Sequence, residues 1–491
     1  MHKAAIAFSF LVCMNYSSAQ QFDFNQKCID AYNLILKLQI DTARKILNEE
    51  EIANSKNLIP VFLENYADCI LITANENAND FNSLLPNKEK RLAALEKGDK
   101  TSPWFKYTQA EVNLQWALSQ IKFEQYYDSF FEIKKAYNLL VENQKQFPQF
   151  AANYKSLGLI HAVIGSVPDN YKWAVNILGF DGSVTEGLAE IQKVFDDKPH
   201  NIFYNETMFI YMFLRMNLMN QPQDAWTIAS SKSFPDVSID PIACFVKADV
   251  AQHCGYTSTT ISLLTNTRFV NGTLPFYFLD YLLGISKLNR LDADAHLTLQ
   301  KFINEFKGRN YLKDAYQRLA WYYLINGNED KYKYYMNICK TKGATLTDHD
   351  QAAQHEAESG IEPNVTLLRA RLLCDGGFYQ QALIELSGKK EDFSRIQDKI
   401  EFIYRLARIY HLWGKVDESI PYYKATIETG KNYPYYFAAN AALCLGDIYK
   451  QKNEIEEAKK YYEMCLTMKN TEYKTGIDQK AKAALNSLNG K

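Results

Sequence analysis

The sequence predicts an all-α protein, a right-handed α–α superhelix of stacked helical hairpins with a divergent N-terminal helical region. Apolar residues make up 47% of the 491-residue chain and aromatic residues 14%, which is ample material for a large core. Apolar positions recur at helical spacing, and no alternating run is long enough for a sheet. Small residues return at intervals of 36 to 39 residues along much of the second half, as they do in repeat proteins.

The balance of charges argues against nucleic acid as a partner. The chain holds 55 basic and 57 acidic residues, so its formal net charge is −2. A domain that binds nucleic acid usually carries a marked basic excess on one face. We therefore expect no nucleic-acid partner.

Residues 1–19 are typical of an export signal. A charged start, an apolar run over residues 4–14 and small residues at Ser17 and Ala19 follow one another in the order of a signal peptide. Large flanking residues around Cys13 disfavour a lipoprotein anchor. No later stretch reaches the roughly 18–20 apolar residues of a membrane span. We expect an exported protein, periplasmic or secreted, with no transmembrane segment in the mature chain.

Neither the cysteines nor the histidines predict a metal or a cofactor. Eight cysteines follow Cys13 and form no CxxC pair, so we interpret them as small buried helix residues, while disulfides stay open. His349 and His355 lie among acidic residues, but residues six positions apart point about 120° apart on a helix. Zinc-binding helices instead place two histidines at i and i+4.

The clearest repeat lies near the C-terminus, in ALCLGDIYKQKNEIEEAKKYYEMC. Counted against the tetratricopeptide pattern of about 34 residues, Leu445, Gly446 and Tyr449 fall on the first helix of the unit. Ala458 and Tyr462 fall on the second helix. Small residues at positions 8 and 20 of such a unit lie where its two helices touch. This segment therefore resembles a tetratricopeptide repeat.

The same pattern recurs upstream. Successive position-8 residues are separated by 36, 36, 50, 37 and 39 residues. These residues are Ala248, Gly284, Ala320, Ala370, Ala407 and Gly446. The interval of 50 indicates a polar insertion, residues 337–363, which we interpret as a solvated capped helix or loop. Repeat-like hairpins are thus predicted over residues 241–336 and C-terminal repeats over residues 364–491.

Two regions before these repeats depart from the pattern. Residues 20–150 show helical spacing without matching the repeat, which predicts a divergent helical region. Residues 151–240 begin as a repeat, but Pro168 breaks it and a short helix around Trp173 follows. A capping box over residues 183–186 then starts the next helix. We predict a structural elbow, with Trp173 in the core.

Residues 157–191 resemble a known signature. The run IGSVPDNYKWAVNILGFDGSVTEGLAEI is similar to a segment of the tetratricopeptide repeat protein 39 family and of its fungal relatives implicated in lipid-linked inclusion clearance. The run LLRARLLCDGGFYQQAL resembles exported bacterial tetratricopeptide repeat proteins. The resemblance implies an all-helical fold in which an N-terminal helical region leads into the repeats. No binding residue is carried over.

The motifs of the common enzyme classes are missing from the sequence, including the nucleophile elbow, the metalloprotease helix, the phosphate loop and the dinucleotide fingerprint. We predict a non-enzymatic scaffold whose groove binds a peptide or a helix of a partner protein, as part of an envelope complex. The alternative is a glycan-binding protein that resembles the SusD-like proteins of outer-membrane uptake systems. The 33 tyrosines and 6 tryptophans would suit sugars.

The repeat phase selects candidate groove residues, because positions 2, 5, 9 and 12 of the first helix tend to face the concave side. These positions hold Asn364, Arg371, Glu401, Tyr404, Arg408, His411, Asn440, Asp447 and Lys450. The candidate binding residues among them are Arg371, Tyr404, Arg408, His411, Asp447 and Lys450. Arg371 and Arg408 share position 9 in consecutive units, so we expect them to form a fork for a carboxylate. The alternative is a solvated groove in which these arginines pair with Asp375, Glu401 or Asp447.

Overall fold

The computed structural model describes residues 20–167, 179–197 and 201–488. The predicted export signal and the predicted short helix around Trp173 lie outside the described residues. Within those three ranges the regular structure is helical, and β-structure is limited to two isolated bridges. The prediction of an all-α fold is therefore confirmed.

The N-terminal region is helical but does not follow the repeat. Its helices are α1 (Gln26–Leu36), α2 (Ile40–Ala53), α3 (Ile59–Asn75), α4 (Ala78–Leu84), α5 (Asn87–Leu95), α6 (Pro103–Lys122) and α7 (Tyr126–Gln146). The long helices α6 and α7 pack against each other. Trp116, Phe62 and Phe81 are almost fully buried in this region, and such large side chains supply most of its core stabilisation.

The middle of the chain is a series of helical hairpins. Its helices are α8 (Ala152–Gly165), α9 (Val184–Asp196), α10 (Tyr204–Asn217), α11 (Pro222–Ala229), α12 (Pro241–His253), α13 (Thr257–Asn266), α14 (Phe278–Asn289), α15 (Ala295–Glu305), α16 (Leu312–Ile325) and α17 (Glu329–Thr341). Neighbours along the chain pack in pairs, beginning with α8 and α9. Each hairpin buries its apolar faces against the next one, as the stacked repeats of a solenoid protein do.

The predicted insertion contains one helix, α18 (Asp348–Ser359), while residues 337–341 belong to the end of α17. The Thr347 hydroxyl caps α18 by accepting a hydrogen bond from the Asp350 N–H at 3.1 Å. Ala353 and Ala357 are buried where α18 packs on α16 and α17. The insertion is therefore a capped helix with one packed face, where the sequence predicted a solvated one.

The C-terminal hairpins follow the repeat most closely. Their helices are α19 (Val365–Asp375), α20 (Tyr379–Leu386), α21 (Ile396–Leu412), α22 (Val416–Gly430), α23 (Phe437–Gln451), α24 (Ile455–Leu466) and α25 (Lys474–Leu488). All six predicted position-8 residues are buried. At Gly446 a Cβ atom would lie 2.5 Å from Cδ1 of Tyr462, so the two helices of this hairpin touch where the repeat pattern places a small residue.

A buried ionic network joins the N-terminal helices to the hairpins. The Lys155 ammonium on α8 lies 2.8 Å from a Glu111 oxygen on α6 and 3.2 Å from a Glu206 oxygen on α10. The Tyr32 hydroxyl donates to Glu206 at 2.8 Å. Lys155 and Glu111 are each 2% exposed, so either charge without the other would be strongly destabilising.

The cysteines of the described residues are free thiols. Seven are buried and Cys254 is half-buried, in agreement with their interpretation as small residues of the core. Across the described ranges, no helix combines the length and the apolarity that a membrane span requires.

Candidate functional site

A groove opens between α18 and the first helices of the C-terminal hairpins, α19, α21 and α23, with the start of α25 at its end. Its free volume is about 120 Å³, close to the ~150 Å³ cavity that admits a benzene ring, so it has room for one side chain of a partner. We call this surface the inner groove. Its main lining residues are Glu356, Glu362, Leu368, Arg371, Arg395, Asp398, Glu401, Arg405, Tyr436, Phe437, Glu472 and Tyr473.

Glu356 forms the side of the inner groove that α18 contributes. Its Oε1 accepts a hydrogen bond from the indole Nε1 of Trp321 at 2.7 Å, and its Oε2 accepts one from Gln317 at 2.8 Å. Burial raises the pKa of Glu356. The Arg371 guanidinium lies 4.8 Å from the centre of the Trp321 ring, and its Nε is 3.8 Å from an Asp375 oxygen. Arg371 therefore forms a loose ion pair with Asp375, and its charge also acts on the Glu356 carboxylate.

Two other arginines of the inner groove are paired with neighbouring acidic side chains. Arg395 donates two hydrogen bonds to the Asp398 carboxylate, at 2.8 Å and 2.9 Å, and another to the Glu362 carbonyl at 3.2 Å. Arg405 donates twice to one oxygen of Glu401, at 2.9 Å and 2.6 Å. Such paired, charge-assisted bonds fix both guanidinium planes.

Aromatic rings close the end of the inner groove. The Tyr436 ring centre lies 4.4 Å from that of Phe437 and 5.1 Å from that of Tyr473. The Glu472 carboxylate accepts a hydrogen bond from the Tyr436 N–H at 3.3 Å, and burial raises the pKa of Glu472. The inner groove thus has an apolar end, and its walls carry charged side chains that are held in ion pairs.

Arg408 lies nearly one helical turn beyond Arg405 on the same stripe of α21. Its side chain is half-buried, and its Nη1 donates to the Cys444 sulfur at 3.8 Å, a weak acceptor. No carboxylate of the described residues pairs with it, and Glu401 is engaged by Arg405. Arg408 therefore presents a cation without a carboxylate partner within the part of the chain that the structure describes.

Two further predicted groove residues, Tyr404 and His411, are held by neighbouring side chains. The Tyr404 hydroxyl accepts a hydrogen bond from the Asn440 amide, and Tyr404 itself is 3% exposed. The Nδ1 of His411 lies 2.9 Å from the Tyr423 hydroxyl. Burial, and then the charge of Arg408, lowers the pKa of His411 to about 4. Both residues are therefore engaged by side chains of the protein itself.

The last two predicted residues, Asp447 and Lys450, lie on α23. The Asp447 carboxylate accepts a hydrogen bond from the Tyr462 hydroxyl at 2.7 Å, and burial raises its pKa. Lys450 is exposed and donates to the Ser487 hydroxyl at 2.8 Å. Of the six predicted residues, only Arg371 lines the inner groove, and the fork of Arg371 and Arg408 stays a prediction.

Sequence reasoning missed most of the groove lining. Glu356 belongs to the inserted helix and Arg395 to the connection before α21, so neither has a position in the repeat. Arg405 precedes the selected position 9 by three residues. Glu401 lies four residues before Arg405, and this i, i+4 spacing of opposite charges on a helix could have identified the Glu401–Arg405 ion pair.

Comparison with known families agrees with this architecture. Residues 400–428 and 440–472 match the model of the tetratricopeptide repeat family. These segments cover α21 to α24 almost entirely, so these two hairpins match tetratricopeptide repeats, and the helical architecture is consistent with a solenoid of that kind. No curated protein matches the chain. The resemblance of residues 157–191 to the tetratricopeptide repeat protein 39 family stays a prediction.

Proposed function

We propose that the chain is a non-enzymatic scaffold that binds a segment of a partner protein in the inner groove. The observation that carries this proposal is Arg371, a cation that lines the inner groove and whose ion pair among the described residues is a loose one with Asp375, at 3.8 Å. A carboxylate of the bound segment, on a side chain or at a chain terminus, would supply a closer partner for this charge.

The rest of the groove supports a peptide as the occupant. The aromatic end around Tyr436 and Tyr473 offers apolar surface, and the free volume of about 120 Å³ accepts a side chain. Arg408, on α21 but outside the groove lining, is a further cation without a carboxylate partner among the described residues. An extended segment or a helix with one acidic residue and one apolar anchor satisfies these features together.

We also propose that the scaffold is exported and works in the cell envelope or outside the cell. The support is the order of charged, apolar and small residues in the first 19 positions. Affinity capture from the exported fraction, with the full chain as bait, would identify the partner. Capture of the same partner by the Arg371→Ala variant would show that the partner binds outside the inner groove.

The groove itself is tested with a peptide library whose members carry either a free or an amidated C-terminus. We expect acidic or free-carboxylate peptides to bind more tightly, and Arg371→Ala and Arg408→Ala each to weaken them by about 1.5–3 kcal/mol. Circular dichroism would show that both variants remain folded.

Arg369→Ala is the matched control, because it removes the same charge from α19 while Arg369 pairs with Glu385 on α20 at 2.8 Å. It should leave affinity unchanged within about twofold. Equal affinity of wild type and the Arg371 and Arg408 double variant would contradict the carboxylate site. Binding to a glycan array, with no peptide selected, would favour the glycan-binding alternative instead.

A further inference from the structure

Three potential ligands for a metal ion converge far from the inner groove, between α8 and α9. They are His161 on α8 and Glu186 and Glu190 on α9, and one donor atom of each lies within 4.8 Å of the others. The Nδ1 of His161 is 2.6 Å from an oxygen of Glu190. An imidazole and two carboxylates are a donor set that proteins use for first-row divalent ions.

The local sequence forces this convergence. A Cβ atom on Gly158 would lie 2.6 Å from the Gly187 carbonyl oxygen, so the backbones of α8 and α9 touch there and only glycine permits it. His161 follows Gly158 by three residues, and Glu186 and Glu190 are spaced i, i+4 around Gly187. Both carboxylates therefore lie on the face of α9 that meets His161.

The burial pattern suits a bound ion with one open side. His161 and Glu190 are each 7% exposed, whereas Glu186 is exposed to solvent. No lysine or arginine among the described residues forms an ion pair with either carboxylate, and the Asp181 carboxylate adds a third negative charge near His161. Burial lowers the pKa of His161, but the hydrogen bond to Glu190 and the charges of Glu190 and Glu186 reverse that effect and raise it.

The exposed acid does not complete the capping box that the sequence predicts. The Ser183 hydroxyl accepts the Glu186 N–H at 3.1 Å, as a capping box requires. In the described residues, however, the Glu186 carboxylate makes no return bond to the Ser183 N–H. It lies beside His161 and Glu190 instead, so helix capping alone does not account for its position.

We propose that His161, Glu186 and Glu190 bind one divalent transition-metal ion, with zinc favoured. Zinc takes three protein ligands and a water molecule at sites that keep one open position, and the open side at Glu186 provides it. Tetrahedral ligands about 2.1 Å from zinc lie about 3.4 Å apart, so the His161–Glu190 pair opens by less than about 1 Å on binding. Magnesium is disfavoured because it prefers oxygen ligands and water.

The test is titration of zinc chloride into the full chain by isothermal titration calorimetry. We expect one site per chain, and at least a tenfold loss of affinity in Glu186→Gln and in Glu190→Gln, because each removes a charged ligand. Glu186→Gln is the decisive variant because its side chain is exposed and the buried His161–Glu190 pair stays intact. Zinc should also raise the melting temperature of wild type more than that of Glu186→Gln.

Glu457→Gln is the matched control. Glu457 occupies the same third helical position on α24 that Glu186 occupies on α9, and its partner is the exposed Lys460. It should keep the zinc affinity of wild type within about twofold. Absence of a zinc site in wild type, or equal affinity in Glu186→Gln, Glu190→Gln and wild type, would overturn the proposal.

Discussion

Gly446 tests how closely the two helices of the last complete hairpin, α23 and α24, approach each other. An added Cβ atom would lie 2.5 Å from Cδ1 and 2.9 Å from Cζ of Tyr462, whereas carbon atoms pack best at about 3.5–4.0 Å. The ring cannot retreat freely, because it is fully buried and its hydroxyl is bonded to Asp447 at 2.7 Å. Overpacking of this kind costs about 1–3 kcal/mol.

Gly446→Ala also stabilises the helix by about 0.8–1 kcal/mol, because alanine has a higher helix propensity than glycine. A control variant must therefore show this propensity effect separately. Gly476 lies in α25 with no atom within 4 Å of the added methyl group, so Gly476→Ala shows the propensity effect alone. We expect Gly446→Ala to be less stable than Gly476→Ala by about 1–3 kcal/mol.

Hydrogen exchange of the amides in α23, α24 and α25 measures this difference, because it reports local opening free energies and therefore suits a long repeat chain, in which unfolding in one step is not expected. A Gly446→Ala protein as stable as Gly476→Ala would refute the helix contact and, with it, the phase assigned to the repeat.

Two further predictions concern buried charge. Because His411 has a folded pKa of about 4 against an ordinary 6.5, the unfolded chain takes up its proton first, and stability is lost as pH falls from about 6.5 to 4. His411→Gln should lose about 2 kcal/mol less than wild type over that range, measured by hydrogen exchange of the amides in α21 and α22, and an equal loss in both proteins would contradict the assignment. Lys155→Met should destabilise the protein by about 3–5 kcal/mol, because Glu111 is left buried without its partner. Adding Glu111→Gln should recover at least half of that loss in the same assay applied to α6 and α8, and a fully additive double variant would disprove the coupling.

The repeat pattern was the most informative part of the sequence. Its small residues at position 8 are buried as predicted, from Ala248 to Gly446, because any larger side chain there would separate two helices that must touch. The groove residues chosen by the same pattern were less well placed, since Tyr404 and His411 turned out to be held by Asn440 and Tyr423. A position number indicates the direction of a side chain on its helix but does not identify the neighbouring residues.

The sequence by itself determined that this protein is helical, where its C-terminal hairpins lie and which small residues hold each pair of helices together. These properties depend on spacing along one chain, which the helical period of 3.6 residues converts directly into faces. Tertiary structure alone decided which charges meet. It paired Glu401 with Arg405, left Arg408 without a carboxylate among the described residues, and brought His161 to Glu190 across two helices. Electrostatic partners are set by distances of a few ångströms between elements that lie far apart in sequence, and spacing does not encode those distances.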